Sequence, residues 1–105
     1  MAKLHSKLVQ DSIKYLNSLE NSHAVTYTPS PYGKRSVSDI LCCYNGLYLA
    51  IEIKIGKDTP TPLQKRFLRK TQESKGFAAA CWSLDEVKEF IKNVDKTIDK
   101  DWSVW

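Results

Sequence analysis

No stretch of this 105-residue chain is apolar for long enough to cross a bilayer, which takes about 20 consecutive apolar residues in a helix. Nor does the opening MAKLHSKLVQDS contain the apolar run of a secretion signal. Both absences lead to an expectation of no membrane partner and a cytoplasmic protein. Cysteine is scarce and odd in number, three in all. Cys42 and Cys43 are adjacent and point to opposite faces of a strand, a poor disulfide pair, and Cys81 stands alone. None has metal-ligand spacing, so buried free thiols are expected. Internal repeats and low-complexity segments are missing, and no segment looks like a helix that reads bases in the major groove. The length suits one domain, residues 1–105, with a modest core over about 3–93 and a polar tail over 94–105.

Sixteen basic residues against twelve acidic ones give a net charge of +4. That sum is compatible with nucleic acid and proves nothing by itself. The distribution is more informative. Lys34 and Arg35 fall in one loop, and Lys65, Arg66, Arg69 and Lys70 cluster further on, whereas acids gather from Glu86 to Asp101.

The chain is organised around Ser38 to Lys54, SDILCCYNGLYLAIEIK. Asn45-Gly46 between two apolar runs is the strongest short-range signal for a two-residue hairpin turn. With that turn fixed, Tyr44 pairs with Leu47, Cys43 with Tyr48, and Asp39 lands opposite Glu52. Directly opposed side chains have Cβ atoms about 4.5–5.5 Å apart. Lys54, two residues beyond Glu52, points to the same face. The flanking residues are apolar, so two carboxylates meet in a part-buried place where their repulsion is poorly screened. A divalent cation would relieve it. Two carboxylates (Asp39 and Glu52), a main-chain carbonyl and waters suit Mg²⁺, with Mn²⁺ as a substitute. The plainer alternative is a strand-edge Asp39 and a surface Glu52–Lys54 ion pair of little energetic weight. It leaves unexplained why polar residues sit at one spot of an otherwise apolar hairpin.

Asp39, twelve intervening residues and Glu52-Ile53-Lys54 resemble the D…ExK signature of the PD-(D/E)xK nuclease superfamily. A Gly-Lys-Arg loop precedes Ser-Asp-Ile-Leu, Pro-x-Gln follows in TPLQKRFL, and a later glycine and short strand lead to Ser-x-x-Glu. This order resembles the VRR-NUC (virus-type replication-repair nuclease) branch over roughly residues 5–90. The resemblance implies a restriction-endonuclease-like α/β core: a mixed central sheet with helices on both faces, in the order α-β-β-β-α-β-α. It implies catalytic Asp39, Glu52 and Lys54, and a metal held by Asp39, Glu52 and the Ile53 main-chain carbonyl. It gives Gln10 and Gln64 supporting roles. Many relatives carry an acid early in the first helix, where this chain has His5-Ser6-Lys7; His5 is read as a surface or helix-end residue. Ser38 stands where the family name has proline.

The remaining segments fit that order. Leu4, Leu8, Ile13, Leu16 and Leu19 predict an amphipathic helix over about 3–20. HAVTYT, 23–28, reads as a strand, and residues 29–35 read as a loop with Tyr32, Lys34 and Arg35 available to phosphate or base. The hairpin arms are 37–44 and 47–55, apolar on both faces and so expected to be covered on both. Thr61, Pro62 and Gln64 form a capping box that opens a helix to about Ser74, with Leu63, Phe67, Leu68 and Thr71 inward and Lys65, Arg66 and Arg69 facing DNA. Gly76 suits a helix end, FAAACW a short buried strand, and Ser83…Glu86 a second capping box before a helix to about Asn93. Trp102 and Trp105 either fold back or meet a second subunit.

The expected function is metal-dependent, structure-specific endonucleolytic hydrolysis of DNA phosphodiesters. The absence of a base reader favours DNA shape over sequence, and the resemblance points to branched DNA or a Holliday junction cut by a homodimer, with a phage origin conceivable in a host cytoplasm. Lys54 orients or deprotonates the attacking water, or offsets phosphorane-like charge; a lysine beside two carboxylates stays charged, which favours the last role. Two other readings stay open: a non-catalytic DNA-binding module on the same fold, and a restriction-type or RNA-splicing nuclease.

Overall fold

Asn45 and Gly46 adopt φ of 51° and 81°, the left-handed pair that a type I′ hairpin demands and that these two residues reach at least cost. In the computed structural model, which describes residues 2–27 and 37–102, that turn joins β2 (Ile40–Tyr44) to β3 (Leu47–Ile53). The register is the expected one, from Tyr44↔Leu47 through Cys43↔Tyr48 to Ile40↔Ile51. The regular arms are shorter than 37–44 and 47–55, because the ladder stops where the polar cluster begins.

α1 (Ala2–Asn17) leads into β1 (Ser22–Thr26), which pairs antiparallel with β2. α1 ends before residue 20: the Asn17 side-chain amide donates to the Ala24 carbonyl and its oxygen accepts from the Ala24 N–H at 2.7 Å, tying the turn to the strand. α2 (Pro62–Glu73) then carries the chain to β4 (Phe77–Cys81), which lies parallel to β3. Strand order is β1-β2-β3-β4, three antiparallel strands and one parallel edge. The chain finishes in α3 (Leu84–Trp102). Among the described residues, three helices and a mixed four-stranded sheet in the order α-β-β-β-α-β-α form the α/β arrangement the sequence implied.

α1 and α3 share one sheet face. Leu16, Val87, Ile91 and Val94 close over Ile40, Cys42, Leu49, Ile51, Ile53 and Cys81 in a single buried cluster. α2 lies against β3 and β4 on the other face, where Thr71 is its one buried residue. That face is covered only in part: Val25, Cys43 and Tyr48 are exposed on it, and Cys43 is therefore a surface thiol, unlike buried Cys42 and Cys81. Leu63, expected inward, is 62% exposed at the start of α2.

The Thr61–Gln64 capping box forms in full, Thr61 Oγ1 accepting from the Gln64 N–H and Gln64 Oε1 from the Thr61 N–H. The Ser83 box is displaced by one residue: Ser83 Oγ accepts from the Glu86 N–H, but the Glu86 carboxylate takes the N–H of Trp82. Lys75, not Gly76, takes the left-handed conformation after α2, φ 74°. Gly76 is needed for space, since a Cβ there would meet Thr71 Cγ2 at 2.9 Å and the Tyr48 carbonyl at 3.1 Å. Gln72 Nε2 donates to the Ala78 carbonyl, and Trp82 Nε1 to the Asp58 carbonyl at 2.8 Å, which pins the loop before α2.

The sharpest departure is α3, which runs well past residue 93. Val94 is buried and Ile98 packs on the core, continuing the spacing of Val87 and Ile91. Residues 94–98 belong to the core helix and not to a tail. Trp102 is its last residue; Trp105 lies outside the described residues. Among these residues no helix is long and apolar enough to cross a membrane.

Candidate metal and nuclease site

The site begins where the β2–β3 ladder stops. Beyond Ile40↔Ile51, the N–H and carbonyl of Ile53 face the space that β2 no longer fills. The N–H donates to Asp39 Oδ2 at 2.9 Å. Asp39 is itself held by its main chain, whose carbonyl accepts from the Tyr27 N–H at 3.0 Å. The Ile53 carbonyl and the Asp39 carboxylate thus face one small volume. A third atom reaches it from α1: His5 Nε2 stands 3.0 Å from the Ile53 oxygen and 3.3 Å from Asp39 Oδ2. The His5 and Asp39 side chains remain 39% and 27% exposed, so solvent can reach them. A cleft of about 330 Å³ opens alongside, lined by His5, Gln10, Thr26, Tyr27 and Asp39 among others.

Glu52 follows the strand alternation to the opposite side from Ile53 and is 2% exposed. Among the described residues its Oε2 finds no hydrogen-bond donor. Burial, then a hydrogen bond with the Asp39 side chain and like-charge repulsion from it, pushes the Glu52 carboxyl up to about 8; Lys54 and the Asp39 main chain pull less strongly the other way. A buried carboxylate without a partner costs on the order of several kcal/mol, and a proton or a cation relieves it.

These residues fit a hard divalent cation. The donors are carboxylate and carbonyl oxygens, and one buried oxygen lacks a partner. Among the described residues, no three His, Cys, Asp or Glu side chains gather as a metal-holding group. Mg²⁺ does not require one, because it commonly takes one or two carboxylates and keeps several waters.

The hairpin geometry does bring Asp39 and Glu52 together as the register implied. Lys54 is half-buried on the same strand end, its N–H donating to the Cys81 carbonyl, and it is close enough to lower the Glu52 pKa. No ion pair within 4.0 Å joins it to either carboxylate among the described residues. Gln10 lines the cleft beside Asp39. Gln64 has its side-chain oxygen engaged in the helix cap. Lys65, Arg66 and Arg69 are exposed on α2. Arg66 and Lys70 line a larger groove of about 740 Å³ with Tyr48, Leu63 and Gly46. Its turn end is six residues along β3 from Glu52, roughly 20 Å away at the rise of a strand. Tyr32, Lys34 and Arg35 lie outside the described residues.

His5 lies near the start of α1 with a 39% exposed side chain, in keeping with a surface or helix-end residue, yet its ring also reaches the Asp39 carboxylate and the Ile53 carbonyl. Helical periodicity puts it beside the apolar stripe of α1 and says nothing about the sheet edge that stripe docks against. The available signal was positional: His5 stands in the part of the first helix where the resembled family places an acid.

No family model and no curated protein matches the sequence. Among solved structures, one described as a VRR-NUC domain superposes on this chain with a TM-score of 0.61 at 15% sequence identity, covering 86% of this chain and 92% of its own. The three helices and mixed four-stranded sheet of the described residues therefore match the VRR-NUC fold.

Proposed function

We propose that this chain is a metal-dependent endonuclease that hydrolyses phosphodiester bonds in DNA. The observation that carries the reading is the buried Glu52 carboxylate with a partnerless oxygen, set against Asp39 and the Ile53 carbonyl at the open end of the hairpin. Such a carboxylate pair opposes folding unless something positive joins it, and a binding surface has no use for one. Asp39, Glu52 and the Ile53 carbonyl would hold Mg²⁺, for which Mn²⁺ could substitute. When bound, the cation would polarise a phosphoryl oxygen and acidify an attacking water. Lys54, positively charged beside the pair, stabilises negative charge on the phosphoryl group and orients the water. Gln10 supports substrate from the cleft wall. Lys65, Arg66 and Arg69, with Lys34 and Arg35, hold the DNA backbone.

The finer reading is branched DNA, a Holliday junction in particular, cut by a homodimer. It rests on the lack of a base-reading element among the described residues and on the resemblance to small stand-alone nucleases. The exposed sheet face bearing Val25 and Tyr48, near exposed Leu63, offers apolar surface for a second copy. The test is a panel of labelled four-way junction, flap, linear duplex and single strand in Mg²⁺, with wild type, Asp39→Ala and Glu52→Ala. Junction cutting by wild type alone is expected. Equal cutting by mutants and wild type would remove the assignment. DNA binding that persists in EDTA, with no product in Mg²⁺ or Mn²⁺, would establish the binding module instead.

A further inference from the structure

His5 is drawn into the site without any role in the nuclease reading. Its Nε2 lies 3.0 Å from the Ile53 carbonyl oxygen and 3.3 Å from Asp39 Oδ2, the two donors at the open strand end. Those separations are close to the edge between adjacent ligands of an octahedral ion with bonds of about 2.1 Å, which is about 3.0 Å. Without a cation the Ile53 carbonyl can only accept from an Nε2–H, and a cation that displaced this proton could join the imidazole to these oxygens. Glu52, buried on the neighbouring position, has an oxygen with no donor among the described residues.

We propose that His5 is a nitrogen ligand of the cation, and that it turns an oxygen site suited to Mg²⁺ into one that prefers a first-row transition ion such as Mn²⁺. The inference rests on the metal site proposed above. Its chemistry is ligand softness: carboxylate, carbonyl and water suit Mg²⁺, whereas an imidazole nitrogen favours transition ions. Nε2 ligates as the lone-pair nitrogen of the neutral ring, with the proton on Nδ1. Because His5 comes from α1 and the oxygens from β2 and β3, the set is complete only in the folded chain.

The experiment is Mn²⁺ titration followed by electron paramagnetic resonance, on wild type, His5→Ala, His5→Glu, His23→Gln and Asp39→Asn, with Mg²⁺ competition for each. Bound Mn²⁺ should show the hyperfine coupling of a directly ligated nitrogen in wild type and in His23→Gln, which removes the other histidine of the chain. His5→Ala should lose that coupling and bind Mn²⁺ at least tenfold more weakly. His5→Glu should lose the coupling, keep binding, and shift the competition towards Mg²⁺. Asp39→Asn should weaken both ions. Mn²⁺ that binds in an Asp39-dependent way but shows no ligated nitrogen overturns the role of His5 and leaves the metal site standing. Failure of the wild type to take up either ion at millimolar concentration overturns both. If His5→Ala does not fold, ¹⁵N-histidine labelling of the wild type decides, since only a ligated imidazole changes the coupling with the isotope.

Discussion

Glu52 is the side chain whose ionisation the fold tolerates least. It is buried, its carboxyl is raised from an ordinary 4.5 to about 8, and the leading cause is burial. In the metal-free protein this has a signed consequence. Below about pH 4.5 both folded and unfolded chains hold the proton. Between 4.5 and 8 the folded chain holds a proton that the unfolded chain has released. Stability therefore falls as pH rises through that window, by up to about 1.4 kcal/mol per pH unit. Thermal melts of the apo protein from pH 5 to 8 should show the decline, and Glu52→Gln should flatten it. Saturating divalent cation should flatten it too, since the ion replaces the proton. Unchanged melting across the window would remove the buried-acid description. Tyr44 is the contrasting case: burial, then its hydrogen bond to Asp95, pushes the phenol up to about 12, so it stays neutral and its 2.6 Å donation to Asp95 Oδ1 persists at any working pH.

Single elements divide by whether their determinants are local. The β2–β3 turn and the α2 cap form as expected, because Asn45-Gly46 and Thr61…Gln64 carry their conformation within four residues. Gln64→Ala should lower stability by about 1 kcal/mol through loss of the cap while leaving metal affinity unchanged; a drop in affinity would give it a role at the site. Gly76 was legible as a glycine but not in its reason. The left-handed residue is Lys75, and the tight approach of Gly76 is to Tyr48 of another strand. Gly76→Ala should cost about 1–3 kcal/mol by overpacking, measured by urea unfolding. The length of α3 was hidden by composition. Leu84, Val87, Ile91, Val94 and Ile98 keep helical spacing, but the later ones are embedded among Asp and Lys. The carboxylate pair of the site was legible because the register is set by a turn six residues away from Asp39. The approach of His5 was not, because it depends on how α1 packs across the sheet, 34 residues from Asp39 and 48 from Ile53.

At the scale of the molecule, basic charge sits on α2 and in the sequence before β2, while the acids of α3 occupy the other sheet face. Replacing Lys65, Arg66 and Arg69 together with alanine should weaken DNA binding at moderate salt without altering Mn²⁺ affinity. The log–log salt slope should become shallower by about 0.9 for each phosphate that is no longer neutralised. An unchanged slope would move the DNA to a different surface.

Among the described residues, β4 closes the sheet on one side and has no strand beyond it. Because the Cys81 carbonyl turns inward to Lys54, the groups of Ala78, Ala80 and Trp82 turn outward. An uncharged Phe-Ala-Ala-Ala-Cys rim of this kind is an invitation to recruit a foreign strand and build fibrils. Gln72 occupies the Ala78 carbonyl and Glu86 the Trp82 N–H, so two of the docking points along that rim are already plugged by the helices on either side. Removing both plugs, as Gln72→Ala with Glu86→Ala, should leave the fold in place and make concentrated solutions prone to turbidity.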